Sequence, residues 1–369
     1  MTETTLRRTP LHDEHEAAGA RMVPFAGYAM PIQYSGIRAE HQAVREAAGI
    51  FDVSHMGEFI VQGSEALDLV QHVVTNDASK LEEGQAQYAL LPREDGTLLD
   101  DLIVYRRPGG FMLVVNAANR QKDFAWIERQ ARGFDVELSD RSDETGLIAL
   151  QGPRAQEILA RVTEADLDAI AYYRSADGEV QDRPVLISRT GYTGEDGFEL
   201  YLGANDASLV WRALVEAGAE DGLLPAGLGA RDSLRLEVGY ALYGNDIDES
   251  RTAYEAGLGW TVKLGKGEFV GRDALAAQKE EGAEVKLTGF RLSERGFPRP
   301  GYPVRLDGRE VGAVTSGVLS PTLGVGIGLT YLPVESTEPG TELEVVIRGK
   351  AVPARVERPP FYREGSIRR

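Results

Sequence analysis

A glycine-rich segment near the middle of the chain, Gly191-Tyr-Thr-Gly-Glu-Asp-Gly-Phe-Glu-Leu200, combines residue types that suit ligand binding. Glycines allow a sharp turn and a close approach of the backbone to a ligand. The strand-like residues that follow would present Glu199 from a rigid element. A carboxylate held in this way suits a heterocycle with N–H donors, such as a pterin or guanine ring. When the segment is considered by itself, a surface turn before an ordinary strand explains it equally well.

A pair of carboxylates, Asp100-Asp101, lies inside a predicted strand. Side chains alternate between the two faces of a strand, and both faces are otherwise apolar here. At least one of the two aspartates should therefore lie near buried surface, where a carboxylate needs hydrogen bonds or a charged partner. The alternative is a solvent-facing pair at the rim of the sheet.

Two asparagines follow the next predicted strand. Asn119 immediately precedes a predicted helix, and an asparagine at that position usually caps the helix with its side chain. Asn116 has no such structural role to fill. We therefore expect Asn119 to be a helix cap and Asn116 to be the better ligand candidate.

The segment Gly227-Leu-Gly-Ala-Arg-Asp-Ser233 resembles an anion-binding loop at a helix start. No Lys-Ser/Thr pair follows its glycines, so it is not a Walker A sequence. Arg231 in the first helical turn could clamp a carboxylate. A surface salt bridge with Asp232 or Glu237 is the alternative role for this arginine.

Composition limits the chemistry available to the chain. Its 369 residues carry a formal net charge of −18, which disfavours nucleic-acid binding, and contain no cysteine, which excludes thiolate chemistry. Two of the five histidines, His12 and His15, lie in a charged segment and are expected to face solvent, so we expect no metal site. We find neither an apolar run of membrane-spanning length nor an apolar N-terminal region, and expect a cytoplasmic protein.

Local patterns predict the elements that must position these residues. A hairpin is predicted from strands 87–91 and 98–105, followed by a strand at 111–115 and a helix at 120–132. A further helix is predicted at 154–162. From about residue 285 short strands, glycine, proline and Asp-Gly turns predominate, as is typical of a small β-barrel or a β-sandwich. We place a boundary between residues 1–282 and 283–369.

Taken in order along the chain, these segments and several others match one known family. The matching segments are Met22–Tyr28, Phe51–Glu58, Asp100–Val104, Val115–Asn119, Ala149–Pro153, Ser188–Glu199, Pro225–Asp232, Leu242–Gly244 and Thr315–Leu323. Over nearly its full length the sequence resembles the aminomethyltransferases, the T-proteins of the glycine cleavage system. The resemblance implies an α+β fold of three domains around a central folate channel, two of them interwoven and the third a C-terminal β-barrel.

The resemblance also implies a reaction and a set of site residues. The substrates would be tetrahydrofolate and the aminomethyl group on the lipoyl arm of H-protein, and the products 5,10-methylenetetrahydrofolate, ammonia and dihydrolipoyl H-protein. Asp101 matches the key aspartate of the family and Glu199 the glutamate that binds the pterin. The remaining folate-pocket positions that match are Tyr88, Asn116, Tyr172, Arg231 and Tyr240. The C-terminal segment Pro360–Arg363 resembles a tail that closes over the channel.

Related folate proteins are the nearest alternatives. The folate domains of dimethylglycine and sarcosine oxidation enzymes carry an appended flavin domain with a dinucleotide-binding fingerprint, which this chain lacks. Folate binders of iron–sulfur assembly carry a cysteine-containing motif, and this chain has no cysteine. A GTP-binding module is more distant, because no Walker A sequence is present.

Overall fold

The structure is a computed structural model that describes residues 5–367. Its α-helices are α1 (His12–Ala17), α2 (Ile37–Glu46), α3 (Ala66–Val73), α4 (Arg120–Gln130), α5 (Ala155–Leu159), α6 (Ala207–Ala217), α7 (Leu228–Val238) and α8 (Arg272–Glu281). Within the described residues, no helix is long and apolar enough to cross a membrane.

The strands form two larger sheets, a two-stranded hairpin and a barrel. They are β1 (Arg21–Phe25), β2 (Tyr28–Gln33), β3 (Gly49–Asp52), β4 (Gly57–Gln62), β5 (Ala86–Pro92), β6 (Leu98–Arg107), β7 (Gly110–Val115), β8 (Glu137–Asp140), β9 (Thr145–Gln151), β10 (Ser175–Val180), β11 (Arg183–Ser188), β12 (Gly197–Gly203), β13 (Leu224–Pro225), β14 (Val285–Leu292), β15 (Pro303–Leu306), β16 (Arg309–Leu319), β17 (Gly326–Pro333), β18 (Glu342–Ile347) and β19 (Lys350–Val356).

Two sheets supply the frame of the molecule. One has the strand order β5-β6-β7-β4-β8 and packs against α3 and α4, and the other has the order β10-β11-β12-β9-β3-β13 and packs against α5 and α6. The predicted hairpin is β5 and β6, which pair antiparallel. A separate cluster of buried residues, which includes Tyr105 and Tyr201, joins side chains of both sheets. The sheets therefore share a core at the place where their strands meet.

Strands β14 to β19 close into a barrel of six strands in the order β14-β17-β16-β15-β18-β19. Alternate residues of these strands fill its interior with aliphatic and aromatic side chains. Mixed helices and sheets followed by a closed C-terminal barrel confirm the predicted fold class.

Two local predictions need correction. The helix predicted at 154–162 ends at Leu159, because the next turn tightens and Val162 N donates to Leu159 O three residues back. The N-terminal histidines do not face solvent. His15 is fully buried, with its ring nitrogens at hydrogen-bond distance from Asp52 Oδ2 (2.8 Å) and Tyr34 Oη (2.9 Å), and His12 is also buried. Because α1 contains several charged residues, the sequence did not indicate that one face of this helix is buried.

A buried carboxylate on α7 connects three parts of the fold. Glu237 is fully buried and accepts hydrogen bonds from the Arg45 guanidinium of α2 (2.9 Å) and from Thr322 Oγ1 of the barrel (3.0 Å). Ser320 also donates to it, and His41 Nε2 lies 3.3 Å away. Burial raises the pKa of Glu237, but His41, Arg45 and Ser320 outweigh burial and lower it to about 2.

The tail continues from the barrel towards the same region. Phe361 is buried in a small cluster with Leu236 of α7, and Tyr362 N donates to Glu237 O. The Arg45 guanidinium lies 4.2 Å from the centre of the Tyr362 ring, and Ser366 Oγ donates to Glu195 Oε2 (2.6 Å). The tail is thus fixed against α2, α7 and the glycine-rich segment.

The Glu237 contacts predict a specific loss of stability in acid. A carboxyl group whose pKa falls from an ordinary 4.5 to about 2 on folding stabilises the folded state above pH 4.5. That contribution, on the order of 3 kcal/mol, disappears as the pH falls through 2. We expect Glu237→Gln to be less stable at neutral pH and to show a smaller change between these pH values, as measured by urea unfolding.

Glu342→Gln is the matched control, because Glu342 forms an exposed ion pair with Arg355 on the barrel. Such pairs contribute about 0–1 kcal/mol. If the stability curves of Glu237→Gln and the parent protein stay parallel from pH 7 to pH 2, Glu237 does not have the role assigned here.

Candidate active site

Three of the residues predicted from the sequence, Tyr88, Asp101 and Asn116, contact one another at β6. Tyr88 lies on the neighbouring strand β5, and its hydroxyl donates to Asp101 Oδ2 at 2.9 Å. Asn116 follows β7 on the other side, and its Nδ2 donates to Asp101 Oδ1 at 2.7 Å. The strand order β5-β6-β7 places these donors on either side of the carboxyl group. Both oxygens of Asp101 are therefore held by neutral donors.

The surroundings of Asp101 raise its pKa towards neutral pH. Burial, followed by the charge of adjacent Asp100, raises the pKa of Asp101 to about 7, while the hydrogen bonds from Tyr88 and Asn116 limit the rise. Near neutral pH the carboxyl group therefore occurs in both forms. A group of this kind can accept a proton and return it without a large cost at either step.

Asp100 immediately precedes Asp101 on β6 and is fully buried. It accepts hydrogen bonds from Asn116 N (3.1 Å), Asn116 Nδ2 (2.8 Å) and Asn119 Nδ2 (2.7 Å). The prediction that the Asn119 side chain caps α4 is wrong, although the residue does occupy the N-cap position. The side-chain nitrogen of Asn119 donates to the buried carboxyl group of Asp100, and its side-chain oxygen accepts no hydrogen bond from the first turn of α4.

Asp123 on α4 adds a third buried carboxyl group beside Asp100. Burial, followed by the charge of Asp100, raises the pKa of Asp123 to about 11, so this group is a neutral acid at neutral pH. The sequence analysis did not identify it. A signal was present, since Asp123 lies three and four residues before Trp126 and Ile127, on the buried face of α4.

Glu199 on β12 is the predicted anchor for a heterocycle. Its Oε2 accepts a hydrogen bond from Thr190 Oγ1 at 2.5 Å. Burial raises the pKa of Glu199, whereas the Thr190 hydrogen bond and the charge of Arg231 oppose that rise. The carboxylate belongs to the second sheet, so it approaches the site from a different element than Asp101.

Arg231 lies in the first turn of α7 and does not form the surface salt bridge considered above. Asp232 instead pairs with Arg235 (2.7 Å), and Glu237 pairs with Arg45. The Arg231 guanidinium lies 4.7 Å from the centre of the Tyr192 ring. Among the described residues no carboxylate lies within ion-pair distance of it, so its donors remain available to an anionic ligand.

Several aromatic rings lie in the region of Asp101 and Glu199. Tyr240 stacks on Tyr192 with ring centres 5.6 Å apart, and Tyr172 meets Tyr173 edge to face at 4.8 Å. Burial raises the pKa of Tyr173, and the nearby groups Tyr240, Tyr105, Glu199 and Asp101 raise it further. One phenol therefore lies within electrostatic reach of both Asp101 and Glu199.

Three aromatic residues of this region were missed from the sequence. Tyr192 and Tyr173 lie between the predicted residues, and the exposed ring of Trp260 stacks on Tyr88 at 6.0 Å. Tyr192 belongs to the glycine-rich segment, and attention to its tyrosine as well as its glycines would have found it. Trp260 gave no sequence signal, because its contact with Tyr88 joins residues far apart in the chain.

Within the part of the chain that the structure describes, the side chains that could together hold a metal ion lie outside the candidate site. One group of histidine and acidic side chains, His12, Asp13 and Glu16, has potential ligand atoms within 4.8 Å of one another. None of the seven predicted site residues belongs to that group. The candidate site instead combines carboxyl groups, an arginine and aromatic rings, a set suited to positioning an organic ligand and moving protons.

Comparisons with known proteins agree with this geometry. The model of the GCVT N-terminal domain matches residues 11–266, and that of the glycine cleavage T-protein C-terminal barrel domain matches residues 286–363. An aminomethyltransferase of Symbiobacterium thermophilum is 54% identical over 369 residues, covering 97% of this chain and 98% of the relative. One of Rubrobacter xylanophilus is 54% identical, covering 97% and 95%.

A solved structure has the same architecture. The crystal structure of the glycine cleavage system aminomethyltransferase T from Bartonella henselae superposes with a TM-score of 0.92, with 36% identity and 99% of each chain covered. The two family models together, and each relative by itself, extend over nearly the whole sequence. The chain therefore belongs to the glycine cleavage T-protein family of aminomethyltransferases.

Proposed function

We propose that this transferase moves the methylene carbon of an aminomethyl group from the lipoyl arm of H-protein to tetrahydrofolate. The observation that carries the proposal is Asp101, a carboxyl group with a pKa of about 7 held between Tyr88 and Asn116. Asp101 and Glu199 both lie close enough to Tyr173 to raise its pKa. The chain that carries them belongs to the aminomethyltransferase family.

The proposed reaction balances without an oxidant or a metal ion. The carbon–sulfur and carbon–nitrogen bonds of the aminomethyl group break, and bonds from the same carbon to folate N5 and N10 form. The two protons lost from N5 and N10 convert the departing groups into ammonia and a thiol. The products are 5,10-methylenetetrahydrofolate, ammonia and dihydrolipoyl H-protein.

Glu199 and Arg231 supply recognition in this proposal. A carboxylate accepts hydrogen bonds from adjacent N–H groups of a pterin ring, which fixes the position of N5. Arg231 is available to a carboxylate of the folate, since a guanidinium binds such groups with two parallel hydrogen bonds. The tyrosine rings Tyr172 and Tyr240 would line the same pocket, and flat rings suit a flat ligand.

Asp101 supplies proton transfer and charge stabilisation. As a carboxylate it can stabilise the cationic iminium that forms when the aminomethyl carbon loses a substituent. It can then accept the proton that N5 loses after attack, because its pKa of about 7 matches the operating pH. The neutral donors around it orient the group without cancelling its charge.

Partner, compartment and domain division belong to the same proposal. Lipoylated H-protein would be the protein partner, in line with the glycine cleavage system named for the relative from Bartonella henselae. We place the reaction in the cytoplasm and propose that tetrahydrofolate acts as a cosubstrate with no metal ion. Residues 1–282 would form the folate-binding region and residues 283–369 the barrel domain.

Replacing the central carboxyl group tests the proposal directly. Asp101→Asn keeps the size of the side chain but removes its charge and its ability to accept a proton. We expect turnover with lipoylated, aminomethylated H-protein to fall about 10²–10⁴-fold. Affinity for tetrahydrofolate should change little, because Glu199 remains. Turnover close to that of the parent protein would rule out the role of Asp101.

Removing one donor from Asp101 should move the pH dependence of the reaction. The Tyr88 hydroxyl lowers the pKa of Asp101, so Tyr88→Phe should raise that pKa from about 7. The base form then persists only at higher pH, and the acid limb of kcat/KM should move upward by about one pH unit.

Tyr254→Phe is the matched control for this experiment. Tyr254 packs in the same apolar cluster as Tyr88, and its hydroxyl has no hydrogen-bond partner among the described residues. Its pH profile should coincide with that of the parent protein. An unshifted profile for Tyr88→Phe would show that Asp101 does not control the acid limb.

A further inference from the structure

Four buried hydroxyl groups lie behind Glu199 and are named here the hydroxyl cluster: Tyr105, Ser188, Thr190 and Tyr201. They come from β6, from the end of β11 and the residues after it, and from β12. Strand pairing uses backbone hydrogen bonds and requires none of these side-chain hydroxyl groups. A buried hydroxyl group costs free energy unless it is hydrogen-bonded, so four together require an explanation.

The cluster forms one connected network that ends on Glu199. Tyr105 Oη is its centre, 3.0 Å from Ser188 Oγ, 3.1 Å from Thr190 Oγ1 and 3.2 Å from Tyr201 Oη. Ser188 Oγ and Thr190 Oγ1 are 2.9 Å apart. Thr190 alone reaches the carboxylate, at 2.5 Å.

Counting protons gives the network a direction. Each hydroxyl group has one proton to donate, and an ionised Glu199 can only accept, so Thr190 must donate to it. Thr190 can then only accept from Ser188 or Tyr105. Tyr201 contacts the cluster through Tyr105 and donates there. The order Tyr201 to Tyr105 to Ser188 to Thr190 to Glu199 uses each proton once, with every O–H directed towards the carboxylate.

We infer that the hydroxyl cluster is a positioning device that holds Glu199 as an anion and fixes its direction towards the N–H groups of the ligand. The inference rests on the proposed function, in which Glu199 binds the pterin ring. A chain of hydroxyl groups strengthens its last hydrogen bond, because each member polarises the next. The last hydrogen bond to Glu199 comes from a neutral hydroxyl group, which leaves the charge of the carboxylate available to the ligand.

The charges around the cluster are compatible with this role. Arg231 faces Glu199 and opposes the increase in pKa that burial causes. Tyr173 lies within electrostatic reach of both Glu199 and Asp101. Glu58 lies within electrostatic reach of Tyr201, and burial raises the pKa of Glu58 well above its usual range, which favours its neutral form. Without the Thr190 hydroxyl group, the pKa of Glu199 should therefore rise further.

The test is calorimetric titration of the full chain with tetrahydrofolate, without H-protein, across neutral and mildly acidic pH. Thr190→Val keeps the branched shape and removes the donor. We expect binding about 10- to 100-fold weaker on the acid side, with the deficit shrinking as the pH rises. The reason is that only the ionised form of Glu199 binds, and its pKa is higher in the variant.

Tyr105→Phe removes the centre of the network and should shift the binding in the same direction by a smaller factor. Thr163→Val is the matched control, because its exposed hydroxyl group bonds to a backbone carbonyl at the surface. Its affinity should equal that of the parent protein at every pH. Thermal unfolding of each variant checks that the fold is retained.

Two outcomes would overturn the inference. A loss of affinity in Thr190→Val that is the same at every pH would show that the hydroxyl group does not hold Glu199 as an anion. Unchanged affinity in both Thr190→Val and Tyr105→Phe would show that the cluster does not act on Glu199. Failure of the parent protein to bind tetrahydrofolate would instead contradict the proposed function, so the two failures are distinguishable.

Discussion

The cost of burying ionised carboxyl groups is the constraint on which this structure depends. Three ways of reducing this cost occur among the buried carboxyl groups described above. Glu237 is neutralised by the Arg45 guanidinium, and Asp123 carries a proton. Asp101 and Glu199 instead receive hydrogen bonds from amide and hydroxyl groups. Cationic partners thus occur where the carboxylate joins parts of the fold, and neutral donors occur where the charge must remain available to a ligand.

The same principle separates the pKa values of chemically similar groups. Glu237 titrates at about 2 and Asp101 at about 7, although both are surrounded by protein. Burial raises the pKa of both groups, but opposite charge outweighs burial at Glu237, whereas the adjacent Asp100 adds to the effect of burial at Asp101. Burial also raises the pKa of Asp100, and the hydrogen bonds with Asp123, Asn116 and Asn119 oppose that rise.

Features that follow from residues close together in the sequence could be predicted, whereas contacts between residues far apart in the sequence could not. Strand alternation predicted the hairpin and a buried aspartate at 100 or 101, because these follow from local geometry. Motifs in order predicted the fold class and the seven candidate site residues. The donation of Asn119 to Asp100, the burial of His15 and the contact of Tyr105 with Ser188 were not predicted. Each joins side chains from separate elements, and local periodicity carries no information about such partners.

The central claim is that Asp101 and Glu199, which belong to different sheets, act on one folate ring. A crystal structure of the protein with bound tetrahydrofolate measures this most directly. We predict that Glu199 accepts hydrogen bonds of about 3 Å from the pterin N–H groups while an oxygen of Asp101 lies within hydrogen-bond reach of N5. A ring that contacts Glu199 but leaves Asp101 beyond that reach, or one bound elsewhere, would contradict the claim.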